Sequence, residues 1–175
     1  MSSVKCLAGA ALILLSFAVI IAVAQSLPEN DQGTVQDTQI RLYWTDPATG
    51  LMWAGRDNGR DVTWGKAMKY CRKLRLGGYS DWRLATLSEL EGIYDSGAHS
   101  PGLAGPGKGR PFTWHVKGGL FMTGNQWSST QRVDDRGHPN GFAWRFDFNE
   151  GRSFDGDEIS FYTNKRGLCV RASSK

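Results

Sequence analysis

Two cysteines far apart in the sequence, Cys71 and Cys169, place the tightest constraint on how this chain folds. They matter because of what precedes them. Lys5 is followed by LAGAALILLSFAVIIAVA, Leu7 to Ala24, which is apolar or small throughout. The run ends in Ala22-Val23-Ala24, the small-x-small pattern of a signal peptidase site. We therefore expect residues 1–24 to be a signal peptide and Gln25 the mature start. The alternative is an uncleaved signal anchor, because the run is nearly long enough to span a bilayer. Both readings export the domain, to the periplasm, the cell surface or the medium. Cleavage removes Cys6 and leaves Cys71 and Cys169, and an even pair in an exported chain reads as one disulfide. Closing so long a loop is worth on the order of 4 kcal/mol in the chain-entropy model. The alternative is a redox or catalytic thiol. Against it, the sequence has no CxxC, and neither cysteine has a histidine close by.

Removal of the leader also removes Lys5 and takes the formal charge from +4 to +3. What remains is about 150 residues, one domain's worth. So modest a charge gives no reason to expect a nucleic-acid partner. Residues 25–40 open with the polar, aperiodic QSLPENDQGTVQDT and read as a flexible lead-in, with the domain at 41–173. The chain's 22 glycines, 7 tryptophans and 6 prolines suit a loop-rich, aromatic-cored extracytoplasmic fold, not a helical bundle.

IRLYW at 40–44 and LMWA at 51–54 read as strands of a hairpin, joined by TDPATG with Gly50 at positive φ. DVTWGKAMKYCRKLRLGG, 61–78, reads as a helix capped by Asp61 or Thr63 and ended by Gly77-Gly78. Trp64, Ala67, Met68, Cys71 and Leu74 form its apolar face. Lys66, Lys69, Arg72, Lys73 and Arg75 form the other, with no acid among them. That face is either simply solvated or an anion-binding stripe. Trp82-Arg83-Leu84 is extended and leads into a short helix, Leu87 to Tyr94, whose start carries the Thr86–Glu89 capping box. Arg83 is expected to be packed, with Glu89 or Asp95 as partner. Residues 96–119 read as a long irregular loop, 131–141 as a polar loop and NEGRSFDGDE as a turn region. NQWSST at 125–130 reads as a strand. FAWRFDF at 142–148 alternates, with Phe142, Trp144, Phe146 and Phe148 on one face, and LCVRA at 168–172 closes the domain.

The series TDPATGLMW, the tryptophan and YC of the helix, GGYSDWRLATLSELEGIYD, QWSST, AW and LCVRA resembles the DUF1566 family, also called the Lcl C-terminal domain. The resemblance covers about residues 41–172 and marks Trp82, Arg83, Leu84, Thr86, Glu89 and Trp127 as the structural signature, with Ala85 where the family's WRLPT has proline. It implies an α+β, C-type-lectin-like fold of two helices, small twisted antiparallel sheets and a long irregular loop region. In such a fold a cysteine of the first helix pairs with one of the final strand, the positions of Cys71 and Cys169. A founding member is a surface adhesin whose similar domain binds sulfated glycosaminoglycans; its collagen-like stalk has no counterpart here, since no Gly-x-y repeat occurs.

On this reading YSDWRLATLSEL is a folding signature, not an active site. The calcium-lectin tripeptide is replaced by His138-Pro139-Asn140, which lacks a carboxylate, and Trp144 is followed by Arg145-Phe146 where such lectins place oxygen ligands. Asp155, Asp157 and Glu158 read as a solvated turn, so no metal and no cofactor are expected. Formylglycine-generating enzymes share the implied fold, but they use a cysteine pair that is committed here to the structural bond. His99, His115 and His138 lie in loops without ligand spacing, and Asp134-Asp135 is an exposed pair, so no enzyme is expected. The favoured function is binding of sulfated or other anionic glycans, adhesin-like. Lys66, Lys69, Arg72 and Lys73, together with Lys108 and Arg110, would be the charge donors and Trp114 the aromatic platform. The competing function is a protein-interaction accessory module of an envelope or pilus-type assembly, contacting its partner through residues 96–126 and 131–141.

Overall fold

The structure is a computed structural model that describes residues 41–104 and 109–173. The expected signal segment, the lead-in and Lys108 lie outside the described residues. Strands β1 (Tyr43–Thr45) and β2 (Leu51–Ala54) form the expected hairpin, with Trp44 opposite Trp53. Asp46 organises its turn by accepting from Ala48 N at 3.1 Å and Thr49 Oγ1 at 2.7 Å, and Gly50 takes φ +70°.

Helix α1 (Trp64–Lys73) is shorter at both ends than the sequence suggests. Thr63 occupies the N-cap position but makes no side-chain cap bond, and the Asp61 carboxylate pairs with Arg166. The first-turn N–H of Trp64 is satisfied by a distant carbonyl, Ile159 O, at 3.1 Å. The helix ends at Leu74, which turns to extended ψ. Gly77 and Gly78, at φ +62° and +82°, instead make the tight turn that joins Leu76 to Tyr79.

Strand β3 (Arg83–Leu84) and helix α2 (Leu87–Gly92) follow, and the capping box forms as read from the sequence. Thr86 Oγ1 accepts from Glu89 N at 3.3 Å, and Glu89 Oε2 accepts from Thr86 N at 2.8 Å. Trp82 is buried, with its indole N–H turned to Leu76 O.

The segment expected as a long irregular loop contains a hairpin, β4 (Ser100–Ala104) with β5 (Arg110–Trp114). Its glycines and prolines conceal the strands, yet each has a place in them. Pro101 faces Thr113 and Pro111 faces Leu103, and Leu103 N donates outward to Met122 O at 2.8 Å. Both prolines thus stand where an N–H would point away from the partner strand and is not needed. Gly102 lets the hairpin press on the core: a Cβ there would lie 2.1 Å from Met122 O and 2.6 Å from the Trp114 ring.

Four further strands, β6 (Asn125–Val133), β7 (Pro139–Asp147), β8 (Arg152–Glu158) and β9 (Lys165–Arg166), make a sheet in the order β8-β7-β6-β9. The polar loop expected at 131–141 shrinks to a turn at 134–138, and the expected turn region after Asn149 is mostly strand β8. Alternating polar side chains are what an open sheet face requires, so composition alone does not separate these strands from turns. The single apolar face expected for 142–148 breaks. Ala143 is fully buried while Phe142 and Trp144 are half-exposed, because β7 slips register against β8 between Ala143 and Arg145.

Strand β10 (Cys169–Ala172) is not an edge. It inserts between β2 and β3 in the order β1-β2-β10-β3, pairing Val170 with Trp53 and Cys169 with Leu84. Both faces of this small sheet's central strands, β2 and β10, are buried. Trp53 and Val170 enter one core with Leu90, Ile93, Phe146 and Phe148; Met52 and Cys169 enter a second with Ala67, Trp82, Leu84 and Trp127. Two-sided burial explains why LMWA and LCV read as continuous apolar runs. The disulfide Cys71–Cys169 joins α1 to β10 across 98 positions, Cα to Cα 5.3 Å, with both cysteines fully buried. Two helices on curled, largely antiparallel sheets make the domain α+β.

Candidate functional site

Beside the polar face of α1 lies an open groove of about 640 Å³. Helical spacing puts Lys66, Lys69, Tyr70 and Lys73 along one wall, since residues three and four apart share a face. Leu74 and Arg75 close one end. The opposite wall is the loop between β2 and α1, which contributes Asn58, Arg60, Asp61 and Val62.

That loop is held from within. Asp57 is buried and accepts four hydrogen bonds: from Thr123 N at 2.7 Å, Thr123 Oγ1 at 2.8 Å, Gln126 Nε2 at 3.0 Å and Gly59 N at 2.9 Å. Burial pushes its carboxyl above the ordinary aspartate range and outweighs those four bonds, which pull the other way. Asn58 donates to Arg60 O at 2.7 Å and accepts from Gly167 N at 2.7 Å, which ties the loop to the strand β9–β10 connection. Arg166 donates to Thr123 Oγ1 at 2.7 Å and pairs with Asp61.

The electrostatic consequence is a groove with one sign. Arg60, Lys66, Lys69, Lys73 and Arg75 supply cationic groups, and the carboxylate lining it, Asp61, is engaged by Arg166. Tyr70 stands half-buried between the lysines, its phenol raised chiefly by burial and then by the charge of Asp57. It offers a neutral ring and a hydroxyl.

The structure brings together part of the expected site. Lys66, Lys69 and Lys73 share the groove; Arg72 is exposed on α1 but does not line it. Arg110 is exposed at the start of β5, in the separate hairpin. Trp114 is 3 % exposed and packs in the core, edge to face with Phe112 at 4.9 Å, so its ring is no platform for a sugar. The sequence signal for it was an aromatic in a glycine-rich stretch, which a buried strand end produces equally well. Asn58, Arg60 and Tyr70 were missed. Tyr70 follows Lys66 by four and precedes Lys73 by three, so the helical period alone could have found it. Arg60 could not be found that way, because only the folded loop sets it opposite the helix.

Of the signature residues, Trp82, Leu84 and Trp127 are interior, whereas Arg83 is exposed and not packed as expected, because its partner Glu89 sits at the surface end of α2. Trp127 donates to Val62 O at 2.9 Å, anchoring the same loop from below. Arg83 is engaged by Glu89, whereas Asp95 accepts from Gly97 N in a local turn. In the acidic segment, Asp157 lies 2.5 Å from Arg145 Nε and 3.4 Å from Lys165 Nζ, and Asp155 lies 3.7 Å from Arg132. Among the described residues no group of three or more His, Cys, Asp or Glu is arranged to hold a metal ion.

The family model of the Lcl C-terminal domain matches residues 33–171. No curated protein matches the chain.

Proposed function

The chain belongs to the Lcl C-terminal domain family, and from that premise we propose that it is an exported, non-catalytic domain that binds sulfated or other anionic glycans in the groove beside α1. The observation that carries this reading is the row Lys66, Lys69 and Lys73 facing Arg60 across a cleft whose carboxylate is already paired. Lysine and arginine donors suit sulfate and carboxylate groups. Tyr70, between the lysines, supplies the face on which a sugar ring can rest, the part first expected of Trp114. The row runs along the helix for about 10 Å at 1.5 Å per residue, enough to address more than one anionic group of a single chain.

We read the finer fold as C-type-lectin-like, supported by the two helices, the curled sheets and the disulfide from the first helix to the last strand. A buried disulfide also fits an oxidising compartment, in keeping with export to the periplasm, surface or medium. A second reading, an accessory module docking on an envelope protein, draws on the hairpin β4–β5. Pro101, Leu103, Phe112 and Phe121 line an open depression on it, with Arg56 over the Phe121 ring at 5.6 Å.

The test is retention on a heparin-type matrix at low and high salt. Wild type is expected to bind at low salt and elute as salt screens the charges. Lys66→Glu, Lys69→Glu and Lys73→Glu combined should abolish retention. Undiminished retention of that variant removes the groove from the argument, and salt-independent binding favours a protein partner.

A further inference from the structure

Two of the largest exposed apolar side chains in the described residues are neighbours: Phe161 at 45 % and Tyr162 at 57 % exposure. They are not an isolated pair on a loop tip. With Glu158, Ser160 and the end of β8 they line a depression of about 310 Å³. Phe161 is held in place by Lys165, whose Nζ lies 4.9 Å from its ring centroid. Asp157 lines the same depression but faces Arg145 and Lys165, so its charge is answered inside the protein. Glu158 is exposed and accepts from its own Ser160 at 3.2 Å. Two exposed rings beside a carboxylate form a receptor for an ammonium or guanidinium group.

Lys165 is buried, but other such groups lie close by on the same surface. The turn bearing Phe161 and Tyr162 is fastened to the start of α1: Ile159 O accepts from Trp64 N, and Lys165 O accepts from Val62 N, each at 3.1 Å. Val62 in turn lines the basic groove. The acidic-aromatic depression and the lysine row therefore border one helix end. Patches of opposite character placed this way are self-complementary under a two-fold axis, and such an isologous contact forms twice in a dimer.

We propose that Glu158, Phe161 and Tyr162 form a docking surface for a second copy of this chain, receiving Lys66 and Lys69 of the partner subunit's α1 while presenting the chain's own Lys66 and Lys69 in return. The contact covers both exposed rings and pairs charges that are otherwise solvated. It draws on the charge of the basic groove but not on what that groove binds. A polyanion occupying the lysine row would compete with it.

The experiment is sedimentation equilibrium of the full chain as exported, over a hundredfold concentration range at low and moderate salt. A reversible monomer–dimer equilibrium that weakens with salt is expected. The double variant Phe161→Ser, Tyr162→Ser and the single variant Glu158→Lys should each weaken it about tenfold or more, with unchanged melting temperatures as the check on folding. Glu158→Lys combined with Lys66→Glu should restore association relative to either change alone. A monomer at every concentration, or association unaltered in the aromatic double variant, overturns the proposal. Heparin retention of that double variant reads the glycan function separately: lost self-association with retained heparin binding shows that the glycan function does not need the aromatic pair.

Discussion

Arg83 donates both arms of its guanidinium to Glu89, Nη1 to Oε2 at 2.7 Å and Nη2 to Oε1 at 2.5 Å. The same Glu89 closes the capping box on Thr86 N, so one carboxylate joins strand β3 to the start of α2. Burial by itself would raise this carboxyl; the bonds from Arg83 and Thr86 and the arginine's charge outweigh it and hold the group below the ordinary glutamate range. A depressed folded-state value means the contribution is present above the unfolded value and is lost as pH falls through the folded one. Unfolding in urea between neutral pH and pH about 3 should therefore show acid loss in wild type that Glu89→Gln reduces. At neutral pH Glu89→Ala is expected to cost about 1–2 kcal/mol, mostly from the lost cap, because Arg83 is partly exposed.

Asp57 titrates with the opposite sign. Its folded-state value is raised, so its contribution is full below the unfolded value and fades as pH rises through the folded one. Measured against Asp57→Asn, wild type should gain stability as pH is lowered from neutrality towards the aspartate range. Asp57→Ala strands the N–H groups of Thr123 and Gln126 in the interior, an expected loss of about 3 kcal/mol or more. Heparin retention should fall with it, since Asp57 holds the loop that bears Arg60.

Replacing both Cys71 and Cys169 by alanine should lower stability by up to about 4 kcal/mol, read from the urea midpoint. Because both sulfurs are buried, thiol labelling of the native wild type after mild reductant should stay low and rise only with denaturant.

Trp114 and Tyr70 separate packing from binding. Trp114→Ala empties a core position and is expected to cost about 3–5 kcal/mol. Tyr70→Ala should leave a folded protein whose affinity for anionic glycans drops about tenfold with its salt dependence intact. A Tyr70→Ala variant with unaltered affinity would restrict the groove to charge alone.

Gly102→Ala checks the seam between hairpin and core. The new methyl meets Met122 O, a backbone atom that cannot step aside. Destabilisation of about 1–3 kcal/mol is expected, as for overpacking elsewhere.

Local patterns carried much of this fold. The hairpin around Gly50, the apolar face of α1, the Thr86–Glu89 box and the strand at Cys169 are each written within a dozen residues, where spacing and turn chemistry act directly. The elements that escaped are those whose partners are distant. Strands β4, β5 and β8 look like loop because glycine, proline and polar residues are tolerated only once a neighbouring strand supplies the hydrogen bonds. The start of α1 moved because Ile159 O, remote in sequence, caps its first turn, and because Asp61 is drawn to Arg166.

The candidate site divides the same way. Helical periodicity by itself determined that Lys66, Lys69 and Lys73 share a face, and the two cysteines, read in an exported chain, pointed to a bond between this helix and the final strand. Only the tertiary structure decided that Arg60 stands across from the lysines, that Trp114 is interior, and that Phe161 and Tyr162 lie exposed beside the start of the helix. Periodicity is a property of one element's backbone geometry. The approach of two elements is settled by burial and hydrogen bonding summed over the whole chain, and no short stretch of sequence contains that sum.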